Sequence, residues 1–294
     1  MSFATLMVHV EIESRTGRHT EGDPEPELDA ATDTRVRLAA SLAERFASTL
    51  IGISASVLPP YPAENGYFVT QTFFEQEHRD ILAALKRTDA AFRSAAVAGR
   101  ASGGLNLEWR SAIDLAENYV VAESRSADLV IVGQARGSVD IARSLDPGTA
   151  ILKTGRPVLV VPPGVDRVKA ERVLVGWKDS REARHAVQGA LPLLHGATSV
   201  TIVEVCDEGE EDATRRRVDD VAQYLARHGI AVSSATAIAA TGSVAGQLIE
   251  AATAADADLI VAGGYGHSRL GEWIFGGVTR DLLRSSPVCC LFAN

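Results

Sequence analysis

A segment written twice constrains this chain more than any other feature. Ala127-Asp128-Leu129-Val130-Ile131-Val132-Gly133 recurs 130 positions later as Ala257-Asp258-Leu259-Ile260-Val261-Ala262-Gly263. The same offset carries Arg156-Pro157-Val158-Leu159-Val160-Val161 onto Ser286-Pro287-Val288-Cys289-Cys290-Leu291, so no net insertion separates the two landmarks in either half. Self-similarity at a fixed spacing means one structural unit built twice. At the front of each half the apolar runs 5–10 and 172–177 correspond at an offset nearer 167, so the first half carries extra residues. Most lie in the polar, Pro- and Gly-bearing segment from Ser14 to about Asp33, expected as a surface loop, with more near Pro59-Pro60-Tyr61-Pro62. The halves divide at Pro162-Pro163-Gly164-Val165-Asp166-Arg167, giving expected domains 1–163 and 168–294.

Within the second half, apolar runs alternate with amphipathic stretches. Strands are expected at 171–177, 198–205, 230–236, 258–263 and 287–292, and helices at 181–195, 211–228, 242–254 and 276–285. The first half follows with strands near 4–10, 49–57, 105–110, 128–133 and 157–161 and helices near 34–48, 72–98 and 112–124. Such alternation implies an α/β fold of two tandem doubly wound domains, each a mostly parallel five-stranded sheet flanked by helices. Ligands of such sheets sit outside the carboxyl ends of the strands, where the winding reverses.

Composition removes several functional classes. No apolar run in the 294 residues approaches the roughly 20 needed to span a bilayer, so no membrane partner is expected. The start, Met1 to Met7, lacks the basic region and cleavage site of a secretory signal, which gives a cytoplasmic reading. A formal charge of −9 disfavours nucleic acid, and the compact basic run Arg215-Arg216-Arg217 is followed by Asp219-Asp220, as on a solvated helical face. Cys289 and Cys290 are adjacent in a strand and point to opposite faces, while Cys206 belongs elsewhere; neither a disulfide framework nor a metal spacing results, so buried structural thiols are expected.

The chemistry concentrates after the strand that ends at Gly263, in Gly263-Gly264-Tyr265-Gly266 and the glycine pair Gly276-Gly277. A glycine at a strand end lets the backbone turn with positive φ, and a second lets a ligand approach bare main chain. A later pair opens a helix whose N–H groups face an anion. In the first half Gly133 matches Gly263, but Arg136, Asp146 and Pro147 stand at the positions of Gly266, Gly276 and Gly277. Asp146 brings a negative charge and Pro147 removes a donor, so that copy reads as degenerate, structural or regulatory.

Over essentially its full length the chain resembles the universal stress protein family in its tandem form. Nucleotide-binding members carry G-x2-G-x9-G-[S/T] after the fourth strand; Gly263, Gly266 and Gly276 match, and Gly277 stands where Ser or Thr is usual. The family's first strand tends to end in V-x-x-D-G-S, and Val175-Gly176-Trp177-Lys178-Asp179-Ser180 is similar, with Lys178 at the Asp position. The resemblance implies a Rossmann-like, adenine nucleotide alpha hydrolase-like fold and ATP with magnesium as ligand of the second half. Lys178 removes an acceptor from the expected adenosine contact and reverses its charge, while Asp179 follows on the other side of the strand's alternation. Glu11 roughly occupies the corresponding acidic position of the first half.

The candidate site therefore comprises Trp177 and Lys178, Gly263 and Gly266, the helix opening Gly276, Gly277, Val278 and Thr279, and Arg269 in the intervening loop as a phosphate clamp. His267 has no partner at metal or catalytic spacing, and no carboxylate pair, Ser/His/Asp set or metal cluster is found, so no catalytic residue is assigned and weak ATP hydrolysis at most is expected. Two functions stay open: a cytoplasmic stress-response protein with one ATP or anion site, or an interaction module that binds no nucleotide. Single-domain members of the family usually pair through their last strand, so the resemblance implies an intramolecular pseudo-dimer of the halves, with the apolar edges Val158-Leu159-Val160-Val161 and Val288-Cys289-Cys290-Leu291 as candidates. Further association into a homodimer is open.

Overall fold

A computed structural model describes residues 2–11, 28–58, 71–99, 104–134, 144–239, 241–266 and 277–294. The first half runs β1 (Thr5–His9), α1 (Ala30–Phe46), β2 (Thr49–Ala55), α2 (Gln71–Val97), β3 (Asn106–Ala112), α3 (Ala116–Glu123), β4 (Leu129–Gly133), α4 (Pro147–Lys153) and β5 (Val158–Val161). The second runs β6 (Arg172–Trp177), α5 (Arg181–Leu194), β7 (Ser199–Cys206), α6 (Glu211–Arg227), β8 (Val232–Ala239), α7 (Val244–Ala254), β9 (Leu259–Gly263), α8 (Gly277–Ser285) and β10 (Cys289–Ala293).

The strands form one ten-stranded sheet in the order β3-β2-β1-β4-β5-β10-β9-β6-β7-β8. Each half repeats one five-strand order and is parallel throughout. The join is antiparallel: Val158, Leu159 and Val160 of β5 pair with Phe292, Leu291 and Cys290 of β10. Both strands are buried along their length, as an apolar run covered on both faces requires. Winding reverses between β1 and β4 and again between β6 and β9, which fixes where a crevice opens in each half.

Helices α1, α2, α5 and α6 cover one face, packing residues such as Leu38, Phe92, Ala186 and Val218 against Leu6, Ile131, Val175 and Leu291. Helices α3, α4, α7 and α8 cover the other, where Val120, Ile151, Leu248 and Leu282 meet Val130, Leu174, Ile260 and Phe292. Cys289 lies in the first of these clusters and Cys290 in the second, as strand alternation demands, and all three thiols are free and buried. Burial drives the Cys289 and Cys290 thiols up, Cys290 to about 12. Cys206 is the last residue of β7 rather than a residue beyond it.

Three local expectations are corrected. Helix α1 begins at Ala30, inside the polar segment expected to remain loop to about Asp33, because Asp29 caps it by accepting from the Ala31 and Thr32 N–H groups. The rest of that segment, 12–27, and the Pro59–Pro62 stretch lie outside the described residues. Helix α4 stands where no helix is expected; Asp146 is its N-cap, accepting from Thr149 N–H, and Pro147 is its first residue. Arg217, expected on a solvated face, instead reaches the fully buried Glu204 at 3.2 Å. Among the described residues no helix is long and apolar enough to cross a membrane.

Candidate functional site

At the carboxyl ends of β6 and β9 the chain turns into the two segments singled out by the sequence. Gly263 closes β9 against the start of α5: a β-carbon there would come within 2.7 Å of Ala183 N and 3.0 Å of the Glu182 carbonyl carbon. The contact is with backbone, which cannot swing aside, so close helix–strand packing demands glycine. The expected positive φ is absent from Gly263, Gly264 and Gly266; the left-handed residue is Tyr265, at φ 56°. That expectation assigned the turn to glycine because a strand-end glycine is the usual way to make it, whereas here tertiary contacts hold a tyrosine in the conformation.

The loop's main chain is pinned by one backbone and two side-chain hydrogen bonds. Gly264 N–H donates to Ala293 O at 2.8 Å, Asn294 Nδ2 donates to Gly264 O at 3.0 Å, and Tyr265 N–H donates to Thr279 Oγ1 at 3.1 Å. Thr279 is thus brought to the cradle, but its hydroxyl accepts from the loop and its side chain is buried. Gly277, the first residue of α8, is exposed, and a β-carbon on it would meet nothing within 4 Å among the described residues. Val278 is half-buried against the α3/α4/α7/α8 side of the core. Gly276, Arg269, His267 and Ser268 lie outside the described residues.

Ser180 caps α5, its Oγ accepting from Ala183 N–H at 3.3 Å. Glu182, in the first turn, sets its Oε2 3.0 Å from where a β-carbon of Gly266 would stand. Burial pushes the Glu182 carboxyl up, but its own backbone N–H, the Ser180 hydroxyl and Arg181 outweigh that and hold it below the usual carboxylate range. An ionised carboxylate therefore lies beside the second glycine of the cradle. Neither Ser180 nor Glu182 is among the expected site residues, although a serine before an acidic first turn is a helix-start signature that locates both.

Lys178 is exposed beyond the end of β6, and its carbonyl accepts from Ser180 N–H at 2.7 Å. Asp179 is ion-paired with Arg184. Trp177 packs into the cluster containing Ala183 and Ala186, and among the described residues its Nε1 is buried with no hydrogen-bond partner. The structure thus brings Gly263, Gly266 and Thr279 into one loop–helix junction, leaves Lys178 at its rim and turns Trp177 into the core.

The first half fills the equivalent crevice with protein. Arg35 of α1 is buried, donates through Nε to His9 O at 3.0 Å and through Nη2 to Thr32 Oγ1 at 3.1 Å, and lies 3.6 Å from Glu11 Oε1. Its Nη1 occupies the place that a β-carbon on Gly133, the counterpart of Gly263, would need. Glu11 is therefore the counter-ion of a guanidinium. Burial, with Arg35 adjacent, drives the His9 imidazole down to about 3, so it is neutral.

Residues 169–293 match the model of the universal stress protein family. No curated protein matches the chain. Among solved structures, a universal stress protein from Archaeoglobus fulgidus DSM 4304 is 13% identical with a TM-score of 0.65, over 99% of this chain and 96% of that one. A functionally unknown protein from Pseudomonas aeruginosa PAO1 is 13% identical with a TM-score of 0.54, over 98% and 92%. At such identities the likeness establishes the fold of both halves, and the second half, residues 169–293, is the part that matches the universal stress protein family.

Proposed function

We propose that the chain is a cytoplasmic stress-response protein with a single site for the phosphates of an adenine nucleotide, ATP with magnesium, in its second half. The observation that carries this reading is the asymmetry of the two crevices. In the second half Gly263, Gly264 and Gly266 pack against Ala183, Ile151 and Glu182, and α8 opens at an exposed Gly277 that no described side chain covers. In the first half a guanidinium stands beside Gly133 where the α5 backbone stands beside Gly263, and the start of α4 is taken by Asp146 as its cap. Backbone N–H groups at the α8 start would hold phosphate oxygens, with Thr279 positioning the loop. Bound magnesium would offset the charge of Glu182 against the phosphates.

Thermal unfolding with and without Mg-ATP tests the reading, since ligand at 100 times its Kd stabilises by about 2.7 kcal/mol. No shift at millimolar Mg-ATP, or an equal shift in Gly266→Asp, rejects it.

The ionised Glu182 beside Gly266 favours a second reading, an interaction module that binds no nucleotide and acts through its surfaces or by pairing with a second copy. Purified chain free of nucleotide, with partner capture indifferent to ATP, would support that alternative.

A further inference from the structure

We propose that Tyr265 is a positioning residue that fastens the cradle of the second half onto α4 of the first, so that the degenerate copy sets the geometry of the anion site. The proposal rests on the cradle reading above. It gives the first half a task that its filled crevice does not suggest.

The contact is close and specific. A β-carbon on Gly264 would collide with Cγ2 of Ile151, so the loop sits directly on α4. One residue on, the backbone takes the left-handed conformation at Tyr265, which aromatic residues rarely adopt and which persists only where surroundings hold it. The Tyr265 hydroxyl reaches Gly148: a β-carbon there would collide with that oxygen and come within 3.0 Å of Asp146 Oδ2, the atom that caps α4. Burial, with the Asp146 charge close by, pushes the Tyr265 hydroxyl up to about 12, so the phenol stays protonated in this space. From its other end Tyr265 donates its N–H to Thr279 Oγ1. A single residue thus ties the end of β9 to the first turn of α8 and to the start of α4.

The sequence carries the matching asymmetry. At the offset of 130, Gly148 corresponds to Val278 and Tyr265 to Ala135. The copy that receives the ring has a bare α-carbon at the point of contact, although glycine weakens a helix. The copy that supplies the ring has valine there. The contact therefore runs one way, from the cradle of the second half to the remnant cradle of the first, and Asp146-Pro147-Gly148 becomes its seat.

The test uses the full chain as wild type, Gly148→Ala, Tyr265→Phe and the double variant, reading amide hydrogen exchange at Gly264 and Tyr265 together with Mg-ATP affinity. Gly148→Ala should raise exchange at both amides about tenfold and weaken Mg-ATP by roughly fivefold, because the new methyl displaces the hydroxyl. In the Tyr265→Phe background, which lacks the colliding oxygen, the same substitution should change exchange by less than about twofold. Exchange unaltered by Gly148→Ala, or raised equally in both backgrounds, overturns the proposal. If wild type binds no Mg-ATP, the nucleotide reading fails and exchange alone decides the contact, so the two failures are distinguishable.

Discussion

The Glu182 carboxylate lies against Gly266, its Oε2 3.0 Å from the place a β-carbon of that glycine would take. A negative charge at that distance opposes a bare polyphosphate and tolerates one that carries a cation. Glu182→Gln keeps the shape and removes the charge. We expect it to tighten binding of magnesium-free ATP by about 1 kcal/mol, a factor of roughly five, and to affect Mg-ATP less. Titration calorimetry with and without magnesium measures both; equal affinities for wild type and variant in the absence of magnesium would place the phosphates elsewhere.

Gly277 opens α8 where, among the described residues, nothing lies within 4 Å of the position a β-carbon would take. Gly277→Ser would add a hydroxyl at the helix start without a clash. One added hydrogen bond of about 1 kcal/mol should strengthen nucleotide binding roughly fivefold. A serine variant no tighter than wild type would show that the ligand does not reach the start of α8.

His9 makes stability fall in acid. Its imidazole is neutral when folded, with its pKa lowered to about 3, and binds a proton near 6.5 when unfolded. Because the unfolded chain then holds more protons, stability is complete above about pH 6.5 and is lost as pH falls towards 3. Between pH 7 and pH 5 the loss from this residue is about 2 kcal/mol. Urea unfolding of wild type and His9→Gln at both pH values checks it: the variant starts less stable but loses less on acidification, and parallel losses would refute the assignment.

Glu204 and Arg217 form a pair with one buried member. Glu204 is fully buried on β7, and Arg217 of α6, partly exposed, approaches it at 3.2 Å. Removing the arginine strands a buried carboxylate, and Arg217→Met should cost about 3 kcal/mol. Adding Glu204→Leu should restore most of that, since apolar residues often replace such pairs at little cost. Denaturant midpoints of the three variants measure it, and a double variant no better than Arg217→Met would mean the carboxylate was not the source of the loss.

Much of this architecture is legible in the sequence because it rests on local periodicity and repetition. The buried runs of β4, β5, β9 and β10 are continuous apolar segments, and the offset of 130 places them in pairs. The same offset, applied to the expected helix at 276–285, locates α4, and Asp146-Pro147 is a cap followed by a first-turn proline. The glycines of the cradle are visible in the sequence, but their reason is not. Gly263 answers to the backbone of Ala183, and Gly264 to Ile151 in the other half of the chain.

The repeat, the α/β alternation, the opposed faces of Cys289 and Cys290, and the loss of the glycine spacing in the first half can all be read from the chain alone, since each depends on neighbours along it. The fold had to show that the expected β5–β10 edge pairing is antiparallel, that Arg35 lies against Gly133, that Glu182 faces Gly266 and that Tyr265 crosses to Gly148. Those relations join residues distant in sequence, where side-chain reach and close packing, rather than periodicity, select the partner.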